Sequence, residues 1–304
     1  MIVRKFFVIF SILIFSKVAA ATETITILWA FNIGSNQANS VRHIIEEANF
    51  QQSKYKFVLE NKPGAGGTIS ANYVLANSNN TLVAMSSSFF IRPAFDSKNA
   101  HDLDKFQTVL VQAVGAPLVL VSKKYTSLSE FLKQKDSSVG VSGVGSISDM
   151  LANHLKGSYP SLNIVQFKGM VDATVASAGG HVDGAITFAI DSQSFIDSGD
   201  VKIIAYSGKT DISPYKNLTF SSQGIKGLDD LTANYAIFAS KEMSSDKSKE
   251  LHDILGKANR SLKVRDSYKK DLLTSVEINY DKSQDWYIEQ RRYWQNFSNK
   301  VKSK

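Results

Sequence analysis

Short apolar runs alternate with amphipathic stretches along most of the chain. Residues 25–30 predict a strand, and the polar loop 32–36 separates it from a helix. That helix is predicted from apolar residues at helical spacing: Val41, Ile44, Ile45 and Ala48. A second strand over 55–60 is followed by a glycine-rich turn and another helix. Repetition of this kind predicts right-handed βαβ units and a mostly parallel sheet.

The same pattern continues to the C-terminus. Further strands are predicted at 81–85, 139–141, 164–167, 185–188, 201–205 and 235–239, and further helices at 128–133, 147–155, 171–178 and 192–196. Three more helices are predicted near 245–259, 262–273 and 281–298. The apolar segment 109–121, interrupted by Gly115 and Pro117, indicates two strands, the second leading out of the first domain.

The order of these elements predicts an α/β protein of two lobes, each a mostly parallel sheet flanked by helices. The middle series is inserted into the first domain, with crossover strands near 118–123 and 234–240. We therefore expect lobe 1 over 22–120 with 237–304, and lobe 2 over 121–236. In open α/β sheets ligands bind at the carboxyl ends of strands, where this chain places loops rich in Gly, Ser, Asn and Thr.

The first residues have the features of a secretory signal peptide. Arg4 and Lys5 precede an apolar stretch over 6–15, and small residues end at Ala21. Ten apolar residues span only about 15 Å as a helix, half of a hydrocarbon core of about 30 Å. We expect residues 1–21 to be cleaved and the mature chain to reside in the periplasm.

Composition narrows the class of protein. The 304 residues suit about two domains, and 43% hydrophobic with 21% charged residues excludes a disordered chain. There is no cysteine, which excludes disulfides, thiolate metal sites and a lipid anchor on an N-terminal cysteine. The net charge of +7 falls to +4 without the leader, because Arg4, Lys5 and Lys17 leave with it. This mild excess gives no reason to expect nucleic acid, although it would not repel an anionic ligand.

No motif in the chain indicates catalysis. Ile69 stands where a dinucleotide-binding fingerprint needs its third glycine, and Ser142 lies in a sequence one glycine short of a nucleophile elbow. The five histidines show no metal-ligand spacing, and Asp183 and Asp191 show no feature of an acid–base pair. We therefore expect no catalytic, cofactor-binding or metal-binding residues. Trp29 is expected in the core, whereas Phe89 and Phe90 suit either the core or a cleft wall.

Residues 61–71, N-K-P-G-A-G-G-T-I-S-A, with V-L-E before them, closely resemble the signature V-V-E-N-R-P-G-A-G-G-x-I-G-A. That signature belongs to the periplasmic solute receptors of tripartite tricarboxylate transporters, the Bug family. Further matches follow in order: M-S-S-S at 85–88, G-V-G-S at 143–146, F-K-G at 167–169 and G-G-H-V-D at 179–183. The resemblance covers residues 24–298.

The resemblance implies a type II-like periplasmic-binding-protein fold that closes on a small organic carboxylate. Carried over by position, the residues implied to bind the ligand are Phe31, Ile33, Gly34, Ser86, Ser87, Ser88, Gly145, Ser146, Ser148 and Thr187. Thr187 stands where the family commonly has an acid, so amino-acid ligands are less expected. Asp149 replaces a histidine, and the first loop, 32–36, has lost glycines.

The implied function is to deliver the carboxylate to the permease subunits of a tripartite tricarboxylate-type membrane transporter. We expect a monomer that needs no cofactor. Two alternatives stay open: a ligand-sensing co-receptor for a periplasmic sensor domain, and an exported hydrolase, for which the sequence offers no catalytic constellation.

Overall fold

The computed structural model describes residues 22–31, 33–208, 215, 217–270 and 272–302. The predicted signal peptide and Asn32 of the first loop lie outside the described residues. The described strands are β1 (Glu23–Trp29), β2 (Tyr55–Asn61), β3 (Thr81–Ser86), β4 (Phe106–Ser122), β5 (Ser138–Val141), β6 (Asn163–Gln166), β7 (Gly184–Phe188), β8 (Lys202–Tyr206), β9 (Thr232–Ser240) and β10 (Thr274–Ser275). The described helices are α1 (Asn36–Gln51), α2 (Thr68–Ala76), α3 (Ser88–Phe95), α4 (Leu128–Lys133), α5 (Ile147–Ser158), α6 (Met170–Ala178), α7 (Ala189–Asp197), α8 (Ser245–Asn259), α9 (Leu262–Lys270) and α10 (Tyr280–Lys302).

The strands form two sheets that share β4. The first sheet has the order β2-β1-β3-β9-β4, with β10 also paired to β4. The second has the order β4-β7-β5-β6, with β8 also on β4. β1 is parallel to β2 and β3, and β5 is parallel to β6 and β7, whereas the pairs that involve β4 or β9 are antiparallel. Each sheet therefore has a parallel part, and an antiparallel part lies between the two.

The long apolar segment forms one strand, where the sequence predicted two. β4 pairs with β9 as far as Pro117 and with β7 from Leu118 onward. Gly115 does not break the strand because its φ of +90° lets the backbone bulge between Ala113 and Ala116. A single strand thus passes from one sheet to the other, and the lobe boundaries given above remain a prediction.

α1 covers the first sheet with the face that its spacing predicted. Val41, Ile44 and Ala48 are each at most 1% exposed. Burial of the valine and isoleucine side chains contributes about 1.5–3 kcal/mol each. The helix begins after Ser35, whose hydroxyl accepts the backbone N–H of Ala38 at 3.3 Å.

The G-G-H-V-D segment ties three strands of the second sheet together through Asp183. Its carboxylate accepts the backbone N–H and the hydroxyl of Ser138, both at 2.9 Å, and pairs with Lys124. Its carbonyl accepts the hydroxyl of Ser122 at 2.6 Å. Burial alone would raise the pKa of this carboxyl, but the bonds from Lys124 and Ser138 lower it below the ordinary value. Asp183 therefore has a structural role.

Candidate functional site

Two loops of the predicted site emerge at one edge of the first sheet. Because β1 and β3 are parallel, with Trp29 opposite Ala84, the loops after them lie side by side. In the loop after β1, the carbonyl of Phe31 accepts the side-chain amide of Asn61 at 2.6 Å. Ile33 is 37% exposed, and Gly34 is exposed as well. The first loop thus presents backbone and one apolar side chain at this edge.

The serine run Ser86–Ser88 joins β3 to α3 and is buried. The hydroxyl of Ser86 accepts the backbone N–H of Ser88 at 3.3 Å and donates to the Ser88 hydroxyl at 3.2 Å. Ser87, which precedes the helix, makes no side-chain capping bond, and the first turn of α3 carries no acidic residue. The partial positive charge of this helix start is therefore not offset by any acid of its own.

Ser87 is held in place by Asn234, which the sequence reasoning missed. The Ser87 hydroxyl accepts the backbone N–H of Asn234 at 2.9 Å. The Asn234 side chain accepts the N–H of Gly115 at 3.2 Å and donates to Gln290 at 3.1 Å. One residue of β9 thus joins the serine run, the bulge of β4 and α10. No local pattern could have revealed it, because its partners lie 56 or more residues away in the chain.

On the second sheet, the predicted residues form the start of α5. Ser146 precedes the helix, and its hydroxyl accepts the backbone N–H of Asp149 at 3.1 Å. The Asp149 carboxylate accepts the N–H of Gly145 at 2.9 Å and the side-chain amide of Gln166 at 2.8 Å. Ser148 accepts the backbone N–H of Ser142 at 3.0 Å. The N–H of Gly145, expected to face the ligand, is therefore bonded to an acid of the protein itself.

This arrangement is a variant of the capping box, in which a serine and an acid three residues later satisfy the free N–H groups of a helix start. The spacing Ser146-x-x-Asp149 is visible in the sequence and would have predicted this capping arrangement. Asp149 is 8% exposed, so its charge lies inside the turn.

Thr187 lies on β7, opposite Val119 of β4, and is fully buried. The next residue, Phe188, is buried, and its ring centroid is 6.4 Å from that of Tyr235 on β9. The structure therefore places Thr187 inside the second sheet, one residue before the end of β7. Its contact with a ligand stays a prediction.

Phe89 and Phe90 belong to the core of the first sheet and not to a cleft wall. The ring of Phe89 stacks on Phe238 with centroids 3.8 Å apart, and Phe90 meets Tyr287 edge-on at 5.1 Å. Trp29 is 2% exposed, which confirms its predicted place in the core.

The carbonyl of Phe89 has an unusual partner. Four residues later stands Pro93, which has no N–H to donate to it. Instead, Nε2 of His101 lies 2.9 Å away, and since a carbonyl only accepts, this nitrogen carries the proton. Burial, the largest cause, lowers the pKa of His101 to about 4, so the ring is neutral at physiological pH.

The P-G-A-G-G run forms the turn that its glycines predicted. Four successive residues have positive φ: +133° at Gly64, +48° at Ala65, +62° at Gly66 and +95° at Gly67. A Cβ on Gly67 would lie 2.0 Å from Cε of Met85, so this glycine also permits close packing under β3.

Among the described residues, no three His, Asp or Glu side chains are grouped so that they could hold a metal ion. Within the same residues, no helix combines the length and apolar character that crossing a bilayer requires.

The model of the tripartite tricarboxylate transporter family receptor matches residues 41–302. The chain belongs to this family. Solved structures of similar fold include MatC (Rpa3494) from Rhodopseudomonas palustris with bound malate, at 21% identity and a TM-score of 0.80, covering 92% of this chain and 100% of that one. Another is Rpa4515 of R. palustris with adipate, at 18% identity and a TM-score of 0.79, covering 92% and 98%. The periplasmic binding protein BugD is 20% identical with a TM-score of 0.79, covering 92% and 97%.

A search of curated protein sequences found no significant match. The resemblance to the tricarboxylate receptors is confirmed, and so is the two-lobed α/β fold of periplasmic binding proteins. We call the parts built on the first and second sheets the first and second lobes. Receptors of this family bind solutes, and BugD is described as a periplasmic binding protein.

Proposed function

We propose that this receptor captures a small organic carboxylate in the periplasm by closing its two lobes on it, and delivers it to the permease subunits of a tripartite tricarboxylate-type transporter. The observation that carries this proposal is the family match over residues 41–302. MatC holds malate and Rpa4515 holds adipate, and both ligands are dicarboxylates.

The charges around the cleft favour the first lobe as the place for a ligand carboxylate. The starts of α1 and α3 lie at neighbouring strand ends, and neither has an acidic residue in its first turn. These two helix starts offer two partial positive charges beside the exposed residues Ile33 and Gly34. A carboxylate is the ligand that such a surface binds best.

The second lobe supports a different contact. Its turn is already neutralised by Asp149, so a second carboxylate gains no net attraction there from the helix start. The Ser146 hydroxyl can still exchange a hydrogen bond with a ligand hydroxyl or a bridging water, whereas Ser148 is fully buried and its hydroxyl is already bonded to Ser142 and Ser146. We therefore expect hydroxy acids and monocarboxylates to bind at least as well as dicarboxylates of the same length.

A thermal-shift screen of residues 22–304 tests this function. The panel contains mono-, di- and tricarboxylates, hydroxy acids, amino acids and neutral sugars, with the methyl ester of each acid as its matched control. A ligand at 100 times its Kd stabilises by about 2.7 kcal/mol, which gives a clear shift. Shifts by acids but not by their esters would support the proposal, and shifts only by sugars or amines would contradict it.

Delivery to a permease requires its own test. Transport of the identified acid into membrane vesicles that carry the permease subunits should depend on added receptor. If the loaded receptor instead bound a periplasmic sensor domain and had no effect on uptake, the transport role would be wrong.

A further inference from the structure

A cationic side chain of the first lobe crosses to the second lobe beside the predicted site. Arg92 lies on α3, one helical turn after Ser88, and its side chain is only 12% exposed. One of its terminal nitrogens, Nη1, lies 3.4 Å from the carbonyl oxygen of Val144 in the second lobe. At this length the hydrogen bond is weak, so most of the contact between Arg92 and the second lobe is packing.

The packing is close on both sides of Arg92. A Cβ on Gly145 would lie 2.8 Å from Cδ of Arg92 and 3.1 Å from its Nη1. A Cβ on Gly66 of the first-lobe turn would lie 3.5 Å from the same Cδ and 3.8 Å from the carbonyl oxygen of Val144. The Arg92 side chain is thus enclosed between a glycine turn of each lobe, and only a glycine at 145 leaves room for it.

The guanidinium is oriented from within the first lobe. Its Nη2 donates to Asp96 at 2.9 Å, four residues later on the chain. Its Nε is buried and has no hydrogen-bond partner among the described residues. A buried N–H donor without a partner lowers the stability of the folded state, and other contacts of the same side chain must offset this loss. Here those contacts include the second lobe.

The two charges on either side of Gly145 have opposite signs. The Asp149 carboxylate is bonded to the Gly145 N–H from within the second lobe, and the Arg92 side chain approaches the same residue from the first lobe. The two residues thus approach Gly145 from different lobes.

We infer that Arg92 is an interlobe clasp, a positioning residue that stabilises the closed lobes and so sets how tightly ligand is held. This role deepens the proposed receptor function, because it assumes that the lobes close on a ligand. It needs no contact between Arg92 and the ligand.

Double electron–electron resonance measures the closure directly. The chain has no cysteine, so Asn72→Cys on α2 and Lys168→Cys in the second lobe, both at exposed positions, provide a unique pair of spin-label sites. In the ligand-free protein, Arg92→Ala should shift the distance distribution toward longer, more open distances. With a bound carboxylate, the same variant should release it about five- to tenfold faster.

Arg291→Ala is the matched control. Arg291 also pairs with an aspartate, Asp104, but both residues belong to the first lobe. It should leave the interlobe distances unchanged. Arg92→Lys, which keeps the charge and part of the alkyl chain, should give distances between those of the parent and Arg92→Ala.

A double-mutant cycle separates the clasp from general damage. Gly145→Ala should open the lobes in the parent, because its Cβ would collide with Arg92. Its effect should be smaller in the Arg92→Ala background. Unchanged distances and release rates in Arg92→Ala, or equal opening in Arg291→Ala, would overturn the inference. Failure of every carboxylate to bind would contradict the proposed function, while the ligand-free distances would still decide the clasp.

Discussion

The two lobes differ in the charge at the helix starts that follow their parallel strands. In the first lobe α1, α2 and α3 have no acidic residue in the first turn. In the second lobe α5, α6 and α7 each have an aspartate there: Asp149, Asp172 and Asp191. A helix start carries about half a positive charge, and an acid in the first turn offsets it. We therefore propose the first lobe as the anion-binding side of the cleft, although both lobes present similar serine- and glycine-rich loops.

The difference extends to the serines themselves. Ser146 caps its helix by accepting the N–H of Asp149, whereas Ser87 makes no capping bond and is held by the distant Asn234. The turn of the second lobe is thus complete without ligand. At the start of α3 in the first lobe, the Ser88 N–H donates to the Ser86 hydroxyl, and no acidic residue stands in the first turn.

A charge placed on the first lobe should have the largest effect. Ser87→Asp puts a carboxylate at the start of α3, where like charges 4 Å apart repel by about 4 kcal/mol at an effective dielectric constant of about 20. Carboxylate affinity measured by calorimetry should fall at least about 100-fold. The aspartate can still accept the N–H of Asn234, so the fold should survive.

Ser87→Asn is the neutral control for that variant, since its amide oxygen can accept the same N–H. Its affinity should stay within about tenfold of the parent, because no charge is added. Equal losses in the two variants would mean that shape, not charge, governs this position.

Acid should destabilise the first lobe through His101. Burial lowers its folded-state pKa to about 4, below the 6.5 of an unfolded histidine. As the pH falls from 6.5 to 4, the unfolded state takes up a proton that the folded state does not, so stability falls. The loss approaches about 3 kcal/mol at pH 4. Urea unfolding at several pH values measures it.

His101→Gln serves as the reference for that titration. Its amide can still donate to the carbonyl of Phe89, but it does not titrate. The difference in stability between the parent and this variant should therefore change with pH between 6.5 and 4. A constant difference would show that His101 is not the group responsible.

Replacing a closely packed glycine under the first-lobe loops should lower stability more than replacing a glycine in open space. Gly67→Ala adds a Cβ 2.0 Å from Met85 at a φ of +95°, and should cost about 2–3 kcal/mol. Gly199→Ala, at a φ of +80° with no atom within 4 Å, should cost only about 1 kcal/mol. Chemical denaturation of both variants gives the comparison, and equal losses would remove the packing argument.

The smallest effect is expected from removing a charge on the second lobe. Asp149→Asn keeps an acceptor for Gly145 but removes the negative charge, so carboxylate affinity should rise about two- to fivefold. Stability should fall by about 1 kcal/mol, because the helix start loses its counter-charge. Asp172→Asn, at the equivalent third position of α6, should leave affinity unchanged. An affinity that falls in Asp149→Asn would reverse the assignment of the two sides.

Features fixed by near neighbours in the chain could be predicted from the sequence. The span of α4 and the buried face of α1 follow from local periodicity, and the positive φ values of Gly64–Gly67 follow from a glycine-rich turn. The two-strand interpretation of the apolar segment was wrong because Gly115 was taken as a break, while β9 pairs along both sides of the bulge. Pairing with a distant strand decided the outcome there.

The site itself was only partly predictable. The loops could be placed by strand order, and Asp149 was noted as unusual, but its bond to Gly145 required the capping-box spacing to be recognised. Arg92 and Asn234 act through partners far away in the sequence, so no spacing indicated them.

A co-crystal structure with the tightest-binding carboxylate would show which lobe binds the anion. We predict its carboxylate within about 3 Å of backbone N–H groups at the starts of α1 and α3, with any hydroxyl group directed toward Ser146. A carboxylate bound at the start of α5, with Asp149 turned away from Gly145, would contradict the assignment of anion binding to the first lobe.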